Sequence, residues 1–219
     1  MSPAAQLMEV FERLSARFGK RHWWPAETPF EVCVGAILTQ NTAWTNVEKA
    51  IVNLKQAGVL SPIAIHGLGE PELAGLIRPA GFFNVKSRRL KGFVRWLFEQ
   101  HGGSLEQMFA TPWQELRIEL LKVTGIGPET CDSILLYAGN QPSFVVDAYT
   151  RRLFSRLGLL APDASYEETR SLFMEQLPQG VPLYNEYHAL IVEQCKVSCR
   201  VRPLCGCCCL AHQCPAARV

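Results

Sequence analysis

What the chain lacks narrows its class before anything it contains. No stretch approaches the roughly 18 uninterrupted apolar residues that a bilayer-spanning helix needs, so an integral helical membrane protein is not expected. Charge of one sign is scarce. The 22 Lys and Arg residues against 20 Asp and Glu leave +2 at pH 7, too little to announce a nucleic-acid binder by net charge. Two-residue alternation is missing as well; Phe144-Val145-Val146 is too short to seed a sheet. There is no low-complexity linker and no repeat at solenoid period, so any domain boundary must fall in short loops. The N-terminal MSPAAQLMEVFERLSARFGK places Glu12 and Arg13 among its apolar positions and has no cleavage-site pattern. It reads as a first helix and not a signal peptide, and a cytoplasmic location is the expectation.

What is present is helical. At 219 residues, 48% hydrophobic and 19% charged, the chain can bury one large core or two small ones and is not of disordered composition. Thr28-Pro29, Ser61-Pro62 and Thr111-Pro112 each place a hydroxyl before a proline. A hydroxyl at the N-cap accepts from an orphan backbone N–H, and proline at the first helical position has no N–H to strand. Ser165 and Glu168 have capping-box spacing. Apolar residues recur at helical spacing in Leu7, Phe11, Leu14 and Phe18 before Gly19, in Val47, Ala50, Ile51 and Leu54 before Gly58, and in Leu90, Phe93, Val94 and Leu97 before Gly102. The fold class expected is all-α.

Three features carry chemistry. The first is Trp113–Gly139, where two helical patterns flank Thr124-Gly125-Ile126-Gly127-Pro128. Gly125 and Gly127 permit positive φ and close approach by another chain, and the N–H groups of such a turn can hold one phosphate. A plain tight helix–helix turn has the same residues. The second is Asp147, at the end of Val145-Val146-Asp147 about nineteen residues after the second glycine and placed to start another helix. Taken alone it reads better as a plain helix N-cap.

The third is the cysteine distribution. Seven of nine cysteines lie between positions 195 and 214, and Cys199, Cys205, Cys208 and Cys214 are separated by five, two and five residues. Four thiolates so close together suit a 4Fe–4S cluster or tetrahedral zinc. A disulfide framework is the alternative, which a chain without a secretory signal does not favour. Cys33 and Cys131 read as small buried core residues. Basic residues gather at Arg78–Arg95, Arg151–Arg156 and Lys196–Arg202, patterns that solvated helix faces also produce.

Taken together, the hairpin and the aspartate at this distance resemble the helix-hairpin-helix DNA glycosylase superfamily to which endonuclease III belongs. The resemblance spans roughly residues 25 to 214. Ile37-Leu38-Thr39-Gln40-Asn41-Thr42 resembles the family segment whose glutamine probes the duplex, and Gly81-Phe82-Phe83-Asn84-x-Lys86 resembles the loop that supplies an intercalating wedge. The resemblance implies two helical domains. Residues 24–141 would form a six-helix barrel-like domain ending in the hairpin, and residues 1–23 with 142–219 a second domain closing on the cluster loop at 199–214. It also implies a 4Fe–4S cofactor on Cys199, Cys205, Cys208 and Cys214, although the family's first cysteine gap is one residue longer. Cys195, Cys207 and Cys209 leave ligand identity open.

Further implications concern activity. Asp147 would be catalytic, stabilising the sugar cation and orienting water. Gln40, Phe82, Asn84, Lys86, Gly125, Gly127, Lys196, Arg200 and Arg202 would contact DNA. Glu129 stands where bifunctional members carry a lysine whose amine forms a Schiff base, and a carboxylate cannot form an imine. A monofunctional enzyme is implied. Trp23-Trp24-Pro25, Trp44 and Val146-Asp147-x-Tyr149 resemble the 3-methyladenine glycosylase branch. There Trp23, Trp24, Pro25 and Trp44, with Glu129 nearby, would line a base pocket; indole faces attract a cationic alkylated purine. The tryptophans could equally pack a core. Expected partners are damaged double-stranded DNA and no membrane, with the chain a monomer. Competing readings are a mismatch, deaminated-base or oxidised-base glycosylase on this fold, a non-catalytic cluster-containing DNA binder, and a plain zinc protein.

Overall fold

The computed structural model describes residues 2–21 and 23–218. Helices make up its regular structure, and no strand occurs among the described residues. No helix among them is long and apolar enough to cross a membrane. The chain divides into two compact units, Met1–Trp23 with Pro142–Val219, and Trp24–Gln141.

The Trp24–Gln141 unit is built around α2 (Pro29–Leu38), in which every residue from Phe30 to Leu38 is buried. A helix apolar on all sides must be surrounded, and α3 (Trp44–Gln56), α6 (Phe83–His101) and α9 (Pro128–Ser133) pack around it. The short α4 (Pro62–Gly67), α5 (Glu70–Leu76), α7 (Leu105–Ala110) and α8 (Trp113–Lys122) complete the unit. That makes eight α-helices among the described residues rather than six, because short turns such as Leu68-Gly69 and Gly102–Ser104 break the path into one- and two-turn pieces. Ile37, Leu54, Leu90, Phe93, Leu116 and Ile134 fill the core at zero exposure.

Local rules start most of these helices. Thr28 and Ser61 accept from the backbone N–H of Glu31 (3.1 Å) and Ala64 (3.2 Å), each with proline in the first turn. Thr111-Pro112 departs from that pattern. The Thr111 N–H closes α7 by donating to the Met108 carbonyl at 3.2 Å. The residue before proline stays extended, and α8 begins one residue later than expected, with Pro112 itself at the cap. Gly102 ends α6 at φ 59°, the left-handed conformation that glycine adopts without penalty.

The other unit comprises α1 (Pro3–Phe18), α10 (Ala148–Arg156), α11 (Tyr166–Gln176) and α12 (Val181–Val197). Ser165 and Glu168 form the full capping box at the start of α11. The core is aromatic: Phe144 stacks on Phe173 at 4.0 Å, and Phe154 meets Phe173 edge-on at 4.8 Å. Tyr187 reaches across to donate to the Leu7 carbonyl at 2.6 Å. Phe144-Val145-Val146 is buried but belongs to no helix or strand; it anchors the chain immediately before Asp147.

Candidate functional site

Asp147 caps α10. Its Oδ1 accepts from the Thr150 N–H at 2.7 Å and from the Thr150 hydroxyl at 3.0 Å, while Oδ2 lies 3.4 Å from His188 Nε2 of α12. About 13% of the side chain is exposed, so the carboxylate is sheltered but reachable. Burial pushes its pKa up, but His188 and the two Thr150 donors outweigh that, and the group sits below its usual value of 3.8. The N-cap reading of Asp147 is therefore correct as local structure. A cap occupies one carboxylate oxygen and leaves the other for different work.

The hairpin joins α8 to α9. Gly125 has φ +91°, and a Cβ there would lie 2.3 Å from Cγ of Arg89, so glycine is required twice over. Beneath the turn, Arg117 and Asp132 form a bidentate ion pair (Nε–Oδ1 2.8 Å, Nη2–Oδ2 3.0 Å), with Asp132 wholly buried. Gly127 is extended and exposed, and Glu129 is exposed in the first turn of α9.

Two expected DNA probes are turned inward. Lys86 is 1% exposed, and its ammonium donates to the Leu38 carbonyl (2.7 Å), the Thr42 hydroxyl (2.7 Å) and the Ala80 carbonyl (2.8 Å). All three N–H groups are used, so Lys86 pins the end of α2 to the loop before α6 instead of meeting phosphate; burial and nearby Arg89 push its pKa down to about 8. Gln40 likewise faces the hairpin. Its Nε2 donates to the Gly125 carbonyl (2.9 Å) and the Thr130 hydroxyl (2.8 Å), and its Oε1 accepts from Arg89. Phe82, by contrast, is 70% exposed and held at φ 45°, a costly conformation for a bulky residue. With Asn41, Val85 and Arg89, the residues Gln40, Phe82 and Lys86 line one open groove. Asn84 is exposed beside it.

Of the expected pocket residues, Trp24 and Trp44 meet edge to face at 5.0 Å, and Tyr137 approaches Trp24 at 5.1 Å. Gly35 on α2 makes room for both indoles: a Cβ there would lie 3.3 Å from Trp24 and 3.4 Å from Trp44. The Trp44 indole N–H donates to Glu48 at 2.9 Å. Trp23 falls in the other unit, where Lys196 lies 5.5 Å from its ring; Pro25 is exposed. Tyr137 sits in a π-helical turn, Ile134–Ala138, that continues α9. Neither Tyr137 nor His188 carries a motif signal, since each is one aromatic residue in an ordinary helical stretch.

The C-terminal loop gathers Cys199, Cys205, Cys208 and Cys214 around one apolar cavity with Leu153, Leu157 and Leu210. Cys195, Cys207 and Cys209 do not line it. Donors point at two of the four sulfurs: Arg156 to Cys199 (3.3 Å) and Gln194 to Cys208 (3.0 Å). The Cys195 thiol and Arg156 bring the Cys199 pKa down to about 6 against the opposing effect of burial. Four convergent thiols with N–H donors suit a thiolate-ligated group. The sulfurs themselves are not closed into ligand geometry among the described residues. Arg200 and Arg202 are exposed on this loop, and Lys196 is exposed on α12.

The profile of the HhH-GPD superfamily of base excision DNA repair proteins matches residues 34–179, from within α2 to beyond α11. The chain belongs to that superfamily. A provisionally named DNA repair glycosylase of Methanocaldococcus jannaschii is 49% identical over 210 residues, covering 95% of both chains. Endonuclease III of Thermotoga maritima is 28% identical over 208 residues, 94% of this chain and 91% of that one. Among solved structures, the 3-methyladenine DNA glycosylase of H. pylori, bound to 1,N6-ethenoadenine, superposes with TM-score 0.79 at 28% identity, covering 90% of this chain and 98% of that chain. A trapped endonuclease III–DNA intermediate superposes with TM-score 0.84 at 22% identity over 99% and 97% of the two chains; at that identity the likeness shows fold alone. This HhH-GPD protein is a DNA glycosylase of base excision repair.

Proposed function

We propose that this HhH-GPD protein is a monofunctional glycosylase that removes alkylated purines, 3-methyladenine and 7-methylguanine, from duplex DNA. The observation that carries the reading is the Trp24–Trp44 pair, two indoles at right angles packed onto the bare backbone of Gly35. Aromatic faces attract a purine made cationic by alkylation. The 28% identity to a 3-methyladenine glycosylase with a modified adenine bound supports the same substrate class.

The chemistry needs little else. The target nucleotide leaves the stack, with Phe82 as the wedge and Asn84, Gly125, Gly127, Lys196, Arg200 and Arg202 on the backbone. Gln40 joins them once released from the hairpin. As the C1′–N bond breaks, its electron pair neutralises the departing cationic base, so no general acid is required. The Asp147 carboxylate stabilises the developing sugar cation. Water then bonds to C1′ and passes its proton to Asp147. Glu129 at the hairpin offers no amine, so the product is an abasic site on an intact strand. Cys199, Cys205, Cys208 and Cys214 are the residues that would hold a 4Fe–4S cluster; the group would brace the basic loop and takes no part in breaking the glycosidic bond. The protein acts as a monomer.

The test is base release from methylated duplex DNA, with bases identified by chromatography and strand nicking scored before and after alkali. Methylpurine release with nicking only after alkali is expected. Absence of methylpurine release would overturn the substrate assignment, and release from mismatched, deaminated or oxidised duplexes would replace it. Nicking without alkali, with borohydride trapping of a covalent complex, would overturn the monofunctional one.

A further inference from the structure

We infer that His188 is a positioning residue for Asp147, an imidazole that sets the plane of the carboxylate and keeps its second oxygen directed at the sugar. The inference rests on the catalytic reading of Asp147. The two residues lie 41 positions apart and meet because α10 packs along α12. The carboxylate is divided between two tasks. Oδ1 is taken twice by Thr150, and Oδ2 is the oxygen 3.4 Å from His188 Nε2.

A carboxylate held through one oxygen can still rotate about its Cβ–Cγ bond within the slack of the cap. A contact on Oδ2 removes that freedom, and the His188 imidazole is the side chain placed to provide it, so that the carboxylate keeps its orientation toward the developing oxocarbenium ion. At 3.4 Å the contact is longer than a formed hydrogen bond, as catalytic contacts often are before substrate arrives. His188 itself has no slack: it is 5% exposed, one helical turn from the buried Tyr184 and beside Tyr187, which is fixed to the Leu7 carbonyl. A rigid imidazole beside a carboxylate that must not rotate is an arrangement suited to preorganisation.

The test is single-turnover base release and DNA affinity measured in parallel for D147N, H188L and H188Q. H188L is expected to slow base release by 10- to 100-fold while DNA affinity stays within about twofold. H188Q, whose amide can donate but never carry charge, should recover most of the rate. In the D147N background, H188L should cost nothing further. Wild-type release by H188L together with an inactive D147N would overturn the positioning role and leave Asp147 catalytic. Wild-type release by D147N would overturn the catalytic reading and this inference with it. Because His188 is buried, a measurement on unaltered His188 guards against misfolded variants. The imidazole 15N shifts should differ between the parent protein and D147N, and identical shifts would overturn the proposal.

Discussion

Replacing Arg117 with alanine should destabilise the hairpin by about 3–5 kcal/mol, the usual result of removing one partner from a buried ion pair. Several features put the effect in this range. Asp132 has no side-chain exposure, Arg117 has 14%, and both guanidinium–carboxylate contacts are at or below 3.0 Å. The pair joins α8 to α9 beside the glycine turn, so its loss leaves a buried carboxylate without its bidentate partner. A domain is stable by only about 5–15 kcal/mol, which makes the substitution a large fraction of the total. Urea unfolding followed by tryptophan fluorescence is the assay of choice, since four of the five tryptophans lie within Trp24–Gln141. The double variant R117A/D132A should be more stable than R117A alone, because it removes the buried carboxylate as well. A loss below about 1 kcal/mol for R117A, or a double variant worse than the sum of the singles, would refute the reasoning.

Asp147→Asn should keep DNA binding and lose base release by about 100-fold or more, roughly 3 kcal/mol of transition-state stabilisation, read by single-turnover kinetics. Because the folded Asp147 pKa is depressed below 3.8, its ionised form adds stability above that pH, and the contribution disappears as pH falls through the folded value. The stability difference between parent and D147N should therefore shrink in acid titrations below about pH 4. Phe82→Ala should weaken binding to duplex DNA by fluorescence anisotropy while leaving the melting temperature unchanged or slightly raised, since an exposed ring held at positive φ contributes little to folding. Gly125→Ala should cost about 1–3 kcal/mol in urea unfolding, because the methyl group meets Arg89 and the backbone is in a region that alanine avoids.

Some of the site is legible in the sequence because it follows short-range rules. Asp147 precedes a helix and is an N-cap; Gly125 makes a turn at positive φ; Ser165 and Glu168 cap each other across three residues. Other features mislead for the same reason. Lys86 lies in a basic stretch and reads as a phosphate contact, yet its long stem carries the ammonium inward to Leu38 and Thr42, more than 40 residues away, and to Ala80 just before its own helix. Gln40 reads as a free probe but is bonded to a hairpin 85 and 90 residues away. Tyr137 and His188 announce nothing, because their significance lies wholly in what packs beside them.

By itself, the sequence determined the helical class, the helix starts at Thr28, Ser61 and Ser165, the glycine turn and the crowding of cysteines, all of which depend on residues within a few positions of one another. Only the tertiary structure decided which polar side chains face outward, which four thiols share a cavity and which imidazole stands beside Asp147. Those outcomes depend on helix packing, which brings together groups from distant parts of the chain and buries a polar atom only where acceptors or donors meet it.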